Sequence, residues 1–152
     1  MEKPTYTTVK TYLKELQFES PNTPALFLDE ILNGEAVNKI SIDVQTKANT
    51  DLSLYIVELH ATIIPQLVSD EKEIMELNVT YCSIVQVLDS DIEAEALRKL
   101  LMVDIPQDLY GPLRALVFAI SSASGFPGIM IGDFDFSKRN LEPPTKDSSL
   151  CS

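Results

Sequence analysis

The chain has 152 residues, with 23 Asp and Glu against 12 Lys and Arg, and a formal net charge of −11. This length suits one domain with a single core, and the negative charge argues against nucleic acid or an anionic membrane as a partner. No apolar run reaches the roughly 18 to 20 residues of a membrane span and the start lacks a signal-peptide core. The two cysteines match neither a metal site nor a disulfide framework, so we expect a protein of the reducing cytosol.

Four strands are predicted from apolar residues that alternate with polar ones, over residues 8–19, 37–48, 52–64 and 75–87. In the first, Tyr12, Leu16 and Phe18 form the apolar face, and Pro21 stops the strand. The third is expected to end at Pro65 because proline interrupts a ladder. Four sequential strands joined by short turns favour an antiparallel sheet.

The apolar spacing then changes to that of helices. The sequence Ser90-Asp91-Ile92-Glu93 matches a capping box and predicts a first helix that ends near Met102. A second helix is predicted from about residues 106–108 to Ser124, closed by Gly125. Strands followed by helices predict an α+β domain, with two C-terminal helices packed on one face of a four-stranded antiparallel sheet.

Residues 137–152 are polar and interrupted by prolines. Such a segment has too little apolar surface to bury, so we expect a disordered tail after a domain that spans residues 1–136.

The residues offer little for catalysis. The single histidine, His60, lies in the middle of a predicted strand without a Gly-x-Ser-x-Gly motif, and we expect an ordinary histidine on a sheet face. The glycines are not followed by the Lys-Ser/Thr of a phosphate loop. Glu15 and Glu19 are about 13 Å apart along a strand, too far for a glycosidase pair, and by themselves indicate a solvated face. We expect no enzyme, no cofactor and no metal.

Two motifs resemble the bacterial export chaperone SecB. The segment Tyr12–Pro24, which ends Phe-Glu-Ser-Pro-Asn-Thr-Pro, resembles that family's first strand and following turn. Asp104–Arg114, together with Ser121–Pro127, resembles its long helix and Gly-x-Phe-Pro terminator. The resemblance can be followed from residue 6 to 136. It implies a cytoplasmic holdase that works without ATP, keeps precursor proteins unfolded and delivers them to the SecA motor, as a homotetramer arranged as a dimer of dimers.

The resemblance also implies three sets of site residues. The positions matching SecA contacts are Glu15, Glu19, Glu76 and Asn78; at the last two, the family's apolar residue and acid are not retained. The groove for unfolded peptide is expected at Leu26, Phe27, Leu28, Phe126, Pro127 and Ile129, with a core beneath a loop as the alternative. The subunit interface is expected at Leu77, Val79 and Tyr81, with the domain's own core as the alternative.

Two other functions stay open at this point. One is a SecB-like chaperone dedicated to a single client, such as an antitoxin. The other is a small-ligand-binding α+β protein, which would have a closed pocket with convergent polar groups, whereas a chaperone would have an open apolar groove.

Overall fold

The computed structural model describes residues 4–28, 36–68, 72–138 and the backbone of 145–146. The strands are β1 (Tyr6–Glu19), β2 (Ala36–Asn49), β3 (Leu54–Leu67), β4 (Glu76–Val87) and β5 (Thr145–Lys146). The helices are α1 (Ala25–Leu28), α2 (Ala94–Lys99) and α3 (Ile105–Ala123), with a π-helical turn at Leu100–Asp104 and a 3-10 turn at Phe136–Lys138.

The sheet has the strand order β1-β4-β3-β2-β5, and its four long strands are antiparallel, as predicted. β3 continues through Pro65 to Leu67, so its predicted end was wrong. The Pro65 carbonyl accepts a hydrogen bond from the Ile74 amide at 2.8 Å, on the side of β4. The β3–β4 ladder has already ended at Ile63, so the missing amide hydrogen of Pro65 breaks no ladder bond.

β1 contains two irregularities that change which residues share a face. The register shifts between Thr8 and Lys10 and again between Leu13 and Glu15. At the second shift, Lys14 is an extra residue in β1, so the alternation of side chains between the two faces is offset by one position. Tyr12, which lies opposite Cys82, is therefore on the same face of the sheet as Glu15. The predicted apolar face of Tyr12, Leu16 and Phe18 was therefore wrong for Tyr12.

The two predicted helices form one continuous helical segment from 94 to 123. Pro106 has no amide hydrogen, so an α-helix could not make its usual bond at this point. The helix instead widens into the π-helical turn that precedes Pro106, where the Ile105 amide donates to the Leu100 carbonyl, five residues back.

The expected capping box does not form: Glu93 is the N-cap residue and makes no side-chain capping bond.

The core lies between this helix and one face of the sheet. Leu109, Leu113 and Val117 of α3 are buried against β3 and β4. Leu77 and Val79 are 0% exposed in this core, so the interface assigned to them was wrong, because a side chain fully buried in its own chain has no surface for a second one. Each such side chain contributes about 1.5–3 kcal/mol through burial. Tyr81, beside them, is only partly buried.

The helices do not cover β1. Three successive side chains on the helix side of its C-terminal half, those of Leu13, Leu16 and Phe18, are 42%, 39% and 38% exposed. Exposed apolar side chains that are adjacent on one strand are typical of a surface that another molecule covers.

The described part of the tail differs from the expectation. Phe136, the last residue of the predicted domain, is 0% exposed. Thr145 and Lys146 pair in parallel with Lys47 and Ala48 of β2, so these two residues form a short edge strand where disorder was expected. The remaining tail residues lie outside the described residues, so the expectation stays a prediction for them. Among the residues described, no helix is long and apolar enough to cross a bilayer.

Candidate functional site

The first candidate surface is the sheet face away from the helices, which we call the outer face. β1 and β4 bring all four predicted SecA positions onto it, because Glu15 lies opposite Thr80, Glu19 opposite Glu76, and Gln17 opposite Asn78. Two carboxylates that face each other across strands repel. A cation on a partner would relieve this repulsion at Glu19 and Glu76.

A chain of hydrogen bonds crosses the outer face between β3 and β4. Asn78 Nδ2 lies 3.4 Å from Glu76 Oε2, and the Thr62 hydroxyl donates to Asn78 Oδ1 at 2.7 Å. Since that hydroxyl hydrogen is used, Thr62 accepts from His60 Nε2 at 3.3 Å. His60 Nδ1 forms a second hydrogen bond with the Thr80 hydroxyl, at 2.7 Å. These bonds hold the His60 ring and the Asn78 side chain in place on the outer face.

Sequence reasoning missed Glu58, which lies beneath the outer face. Lys14 Nζ is 2.6 Å from Glu58 Oε2, and the hydrogen bond with Glu58 raises the pKa of the Lys14 ammonium. Cys82 Sγ is 3.8 Å from the same oxygen. Burial, and secondarily the charge of Glu58, raises the pKa of the Cys82 thiol to about 11. The alternation of side chains in β3 is enough to place Glu58 on the outer face. Lys14 reaches Glu58 only because of the register shift between Leu13 and Glu15 in β1.

The second candidate surface, which we call the apolar groove, lies between β3 and the segment after α3. It is a cavity of about 290 Å³ lined by Pro65, Leu67, Met75, Phe126, Ile129 and Met130, among others. Asn38 is the only polar side chain among the described lining residues. The convergent polar groups that a small-ligand site requires are therefore missing from this part of the lining.

The predicted groove residues divide into three groups. Phe126, Pro127 and Ile129 line the cavity. Phe27 stacks on Phe126, with ring centroids 4.6 Å apart, and is 41% exposed beside it. Leu26 is 1% exposed and belongs to the core, so the groove assignment was wrong for this residue. Leu28 is 80% exposed and is not among the described residues that line this cavity, so its assignment stays a prediction.

The helix end sets the position of this stack. Gly125 has φ of +95°, and a Cβ added there would lie 2.9 Å from the Phe27 ring. The left-handed conformation ends α3, as predicted, and the missing side chain leaves room for Phe27. Sequence reasoning missed Met130, which is 79% exposed at the groove; nothing in the local pattern marks this residue as part of a site.

In the described ranges of the chain, no group of three or more His, Cys, Asp or Glu side chains could hold a metal ion.

Comparisons with known proteins agree with this fold. The model of the family "Preprotein translocase subunit SecB" matches residues 1–139. The protein-export protein SecB of Anaplasma phagocytophilum is 28% identical over 136 residues, covering 83% of this chain and 84% of that protein. The SecB of Azoarcus sp. is 27% identical over 135 residues, covering 88% and 84%.

Among solved structures, a SecB-like chaperone of Mycobacterium tuberculosis, in complex with a ChAD peptide from the HigA1 antitoxin, superposes with a TM-score of 0.69. That alignment covers 90% of this chain and 93% of the chaperone at 13% sequence identity, so it shows the shared fold. Because the family model extends over almost the whole described domain, this chain belongs to the SecB family.

Proposed function

We propose that this protein is an ATP-independent holdase that keeps secretory precursors unfolded in the cytoplasm and delivers them to SecA. The observation that carries the proposal is the apolar groove, found on a chain of a family whose relatives are named protein-export proteins. A chaperone that binds the unfolded state lowers the concentration of chain available for folding, so binding alone delays folding.

The size and lining of the groove suit unfolded chains in general. A cavity of about 290 Å³ is at the low end for a ligand site, so it holds one or two apolar side chains rather than a whole ligand. Methionine side chains adapt to different shapes, and Met130 is exposed at this cavity. Low sequence specificity follows from such a surface. Clients would then be selected by how slowly they fold.

The outer face is the proposed surface for SecA. Its predicted contacts, Glu15, Glu19, Glu76 and Asn78, lie on two neighbouring strands, so one partner segment could touch all of them. Carboxylates favour a basic partner and speed its association. Glu76 stands where the family has an apolar residue, so we expect the charged part of the contact to dominate here.

We also propose that the chain forms a homotetramer arranged as a dimer of dimers. The support is the exposed apolar row on β1, Leu13, Leu16 and Phe18, together with Phe118 of α3, which is 45% exposed. Tyr81 remains a proposed interface residue because it is partly buried next to this row, opposite Leu13.

The holdase proposal predicts that the purified protein slows the refolding of a denatured precursor and that ATP changes nothing. Met130→Glu should weaken precursor binding about tenfold, because a charge placed at the groove removes roughly 1–1.5 kcal/mol of apolar contact. Both effects are measured by stopped-flow fluorescence of the precursor. Leu52→Glu is the matched control, since Leu52 is 48% exposed at the turn between β2 and β3. Release by ATP, or equal loss in both variants, would contradict the proposal.

The SecA proposal predicts that Glu15→Gln combined with Glu19→Gln weakens SecA binding and flattens its salt dependence. Both side chains are exposed, so chain number and precursor binding should stay unchanged. Isothermal titration at two salt concentrations measures the effect. Asn78→Glu should strengthen binding, because it restores an acid at this position. An unchanged affinity in the double variant would remove the outer face as the SecA surface.

A further inference from the structure

One side of the apolar groove is formed by residues 126–130, which follow α3 and which we call the groove wall. All five residues line the cavity, yet none of them lies in a helix or a strand. No hydrogen bond between backbone groups joins the groove wall to another described segment. Its position therefore depends on contacts with side chains, such as the stack of Phe27 on Phe126.

Ser121 is a buried polar residue on the apolar side of α3. Leu109, Leu113 and Val117 recur every four residues and are buried against the sheet. Ser121 comes four residues after Val117 and is 0% exposed, although helical spacing calls for another apolar side chain at this position. A buried hydroxyl is unfavourable without a hydrogen-bond partner, so a serine here needs a partner within the protein.

The Ser121 hydroxyl joins α3 to the groove wall. It donates to the Val117 carbonyl at 2.7 Å, and the Phe118 carbonyl lies 3.2 Å away. A hydroxyl has one hydrogen and two acceptor positions, so its oxygen is left to accept from the Ile129 amide, at 2.8 Å. Among the described residues, this amide has no other acceptor. One hydroxyl thus ties the backbone of Ile129 to α3.

The groove wall also approaches α3 closely at Gly128. A Cβ added there would overlap with Ser122 Oγ and would lie 2.7 Å from the Phe118 ring. Glycine, which has no side chain, leaves room for this approach. The contact brings the backbone against the helix one residue before the amide that Ser121 binds. The hydrogen bond and the close contact therefore act on the same stretch of chain.

We propose that Ser121 is a positioning residue for client binding: its hydroxyl holds the groove wall on α3, so that the cavity is formed before an unfolded segment arrives. The inference rests on the proposed holdase function, since Ser121 acts through the groove and does not line it. A site that is already ordered loses less conformational freedom on binding, so it binds its ligand more tightly. Without the hydroxyl, the client would have to order the groove wall as well, and its affinity would fall.

The test compares Ser121→Ala with the wild-type chain. The variant leaves the Ile129 amide without its acceptor, so the exchange of this amide hydrogen with solvent should become about tenfold faster. Binding of α-lactalbumin that has been reduced and alkylated, and so cannot refold, should become about threefold to tenfold weaker. NMR hydrogen exchange measures the first effect, and isothermal titration measures the second at a temperature where the variant is folded. Ser83→Ala is the matched control, because Ser83 of β4 is also buried, at 3% exposure, and does not line the groove.

Gly128→Ala is a second variant, which displaces the groove wall while the Ser121 hydroxyl is retained. It should also weaken binding of the unfolded polypeptide, and its affinity decides the inference if Ser121→Ala does not fold. Unchanged affinity in Ser121→Ala, or an equal loss in Ser83→Ala, would overturn the inference while the holdase proposal stands. If the wild-type chain binds no unfolded polypeptide, the holdase proposal fails, and the exchange rate of the Ile129 amide alone decides whether Ser121 holds the groove wall.

Discussion

Replacing Phe136 by alanine is expected to lower the free energy of unfolding by about 3–5 kcal/mol, the range for large buried aromatic side chains. Phe136 is 0% exposed. Its ring packs edge-on against Phe134 at 4.7 Å and against Tyr110 of α3 at 5.7 Å. Truncation would leave a cavity between the helix and the end of the domain. Urea unfolding at a fixed chain concentration measures the change, since association of subunits would add to the apparent stability.

Two controls separate burial from other effects of substitution. Leu88→Ala removes a side chain that is 56% exposed and should change stability by no more than about 0.5 kcal/mol. Phe136→Leu keeps most of the volume and should cost less than alanine. A loss below about 1 kcal/mol for Phe136→Ala would show that residues 134–138 do not belong to the folded unit.

How far the sequence predicts this fold depends on whether the residue pattern stays regular. In β3 the alternation is unbroken, and Val57, Leu59, Ala61 and Ile63 are all fully buried on the predicted face. In β1 the same reasoning misplaced Tyr12, because an irregularity in one strand is defined by its pairing with β4 and leaves no mark in the local pattern. Similarly, the sequence around Pro106 predicted a break, whereas tertiary packing keeps the helix continuous through a π-helical turn.

In the candidate sites, too, some residues could be predicted from the sequence, and others are brought together only by contacts between distant parts of the chain. Glu15, Glu19, Glu76 and Asn78 were identified through the family resemblance, and the pairing of β1 with β4 brings them onto one face, where the SecA contact stays a prediction. The ion pair of Lys14 with Glu58 could not be predicted, because the two residues are 44 positions apart in the chain and meet only through the register of three strands. Leu26 was misassigned because a short apolar run does not reveal which of its side chains is buried.

Sedimentation of the wild-type protein is expected to give four chains, and Leu16→Glu combined with Phe18→Glu is expected to give fewer. Both side chains lie on the uncovered helix side of β1, at 39% and 38% exposure. If a second subunit covers them, each new carboxylate would be buried without a partner, at a cost of several kcal/mol. The two substitutions together should weaken the interface enough for the assembly to dissociate at micromolar concentration. Analytical ultracentrifugation at micromolar concentration measures the mass.

Two comparison variants make this result specific to β1. Leu52→Glu adds the same charge at an exposed turn and should leave four chains. Leu77→Ala removes a side chain that is 0% exposed; it should lower stability by about 2–5 kcal/mol without changing the number of chains, because Leu77 belongs to the core of the single chain. Dissociation by Leu77→Ala at a concentration where the fold is intact would restore the interface first predicted for β4. A compact wild-type monomer would remove the tetramer altogether, and the apolar row on β1 would then need another partner to cover it.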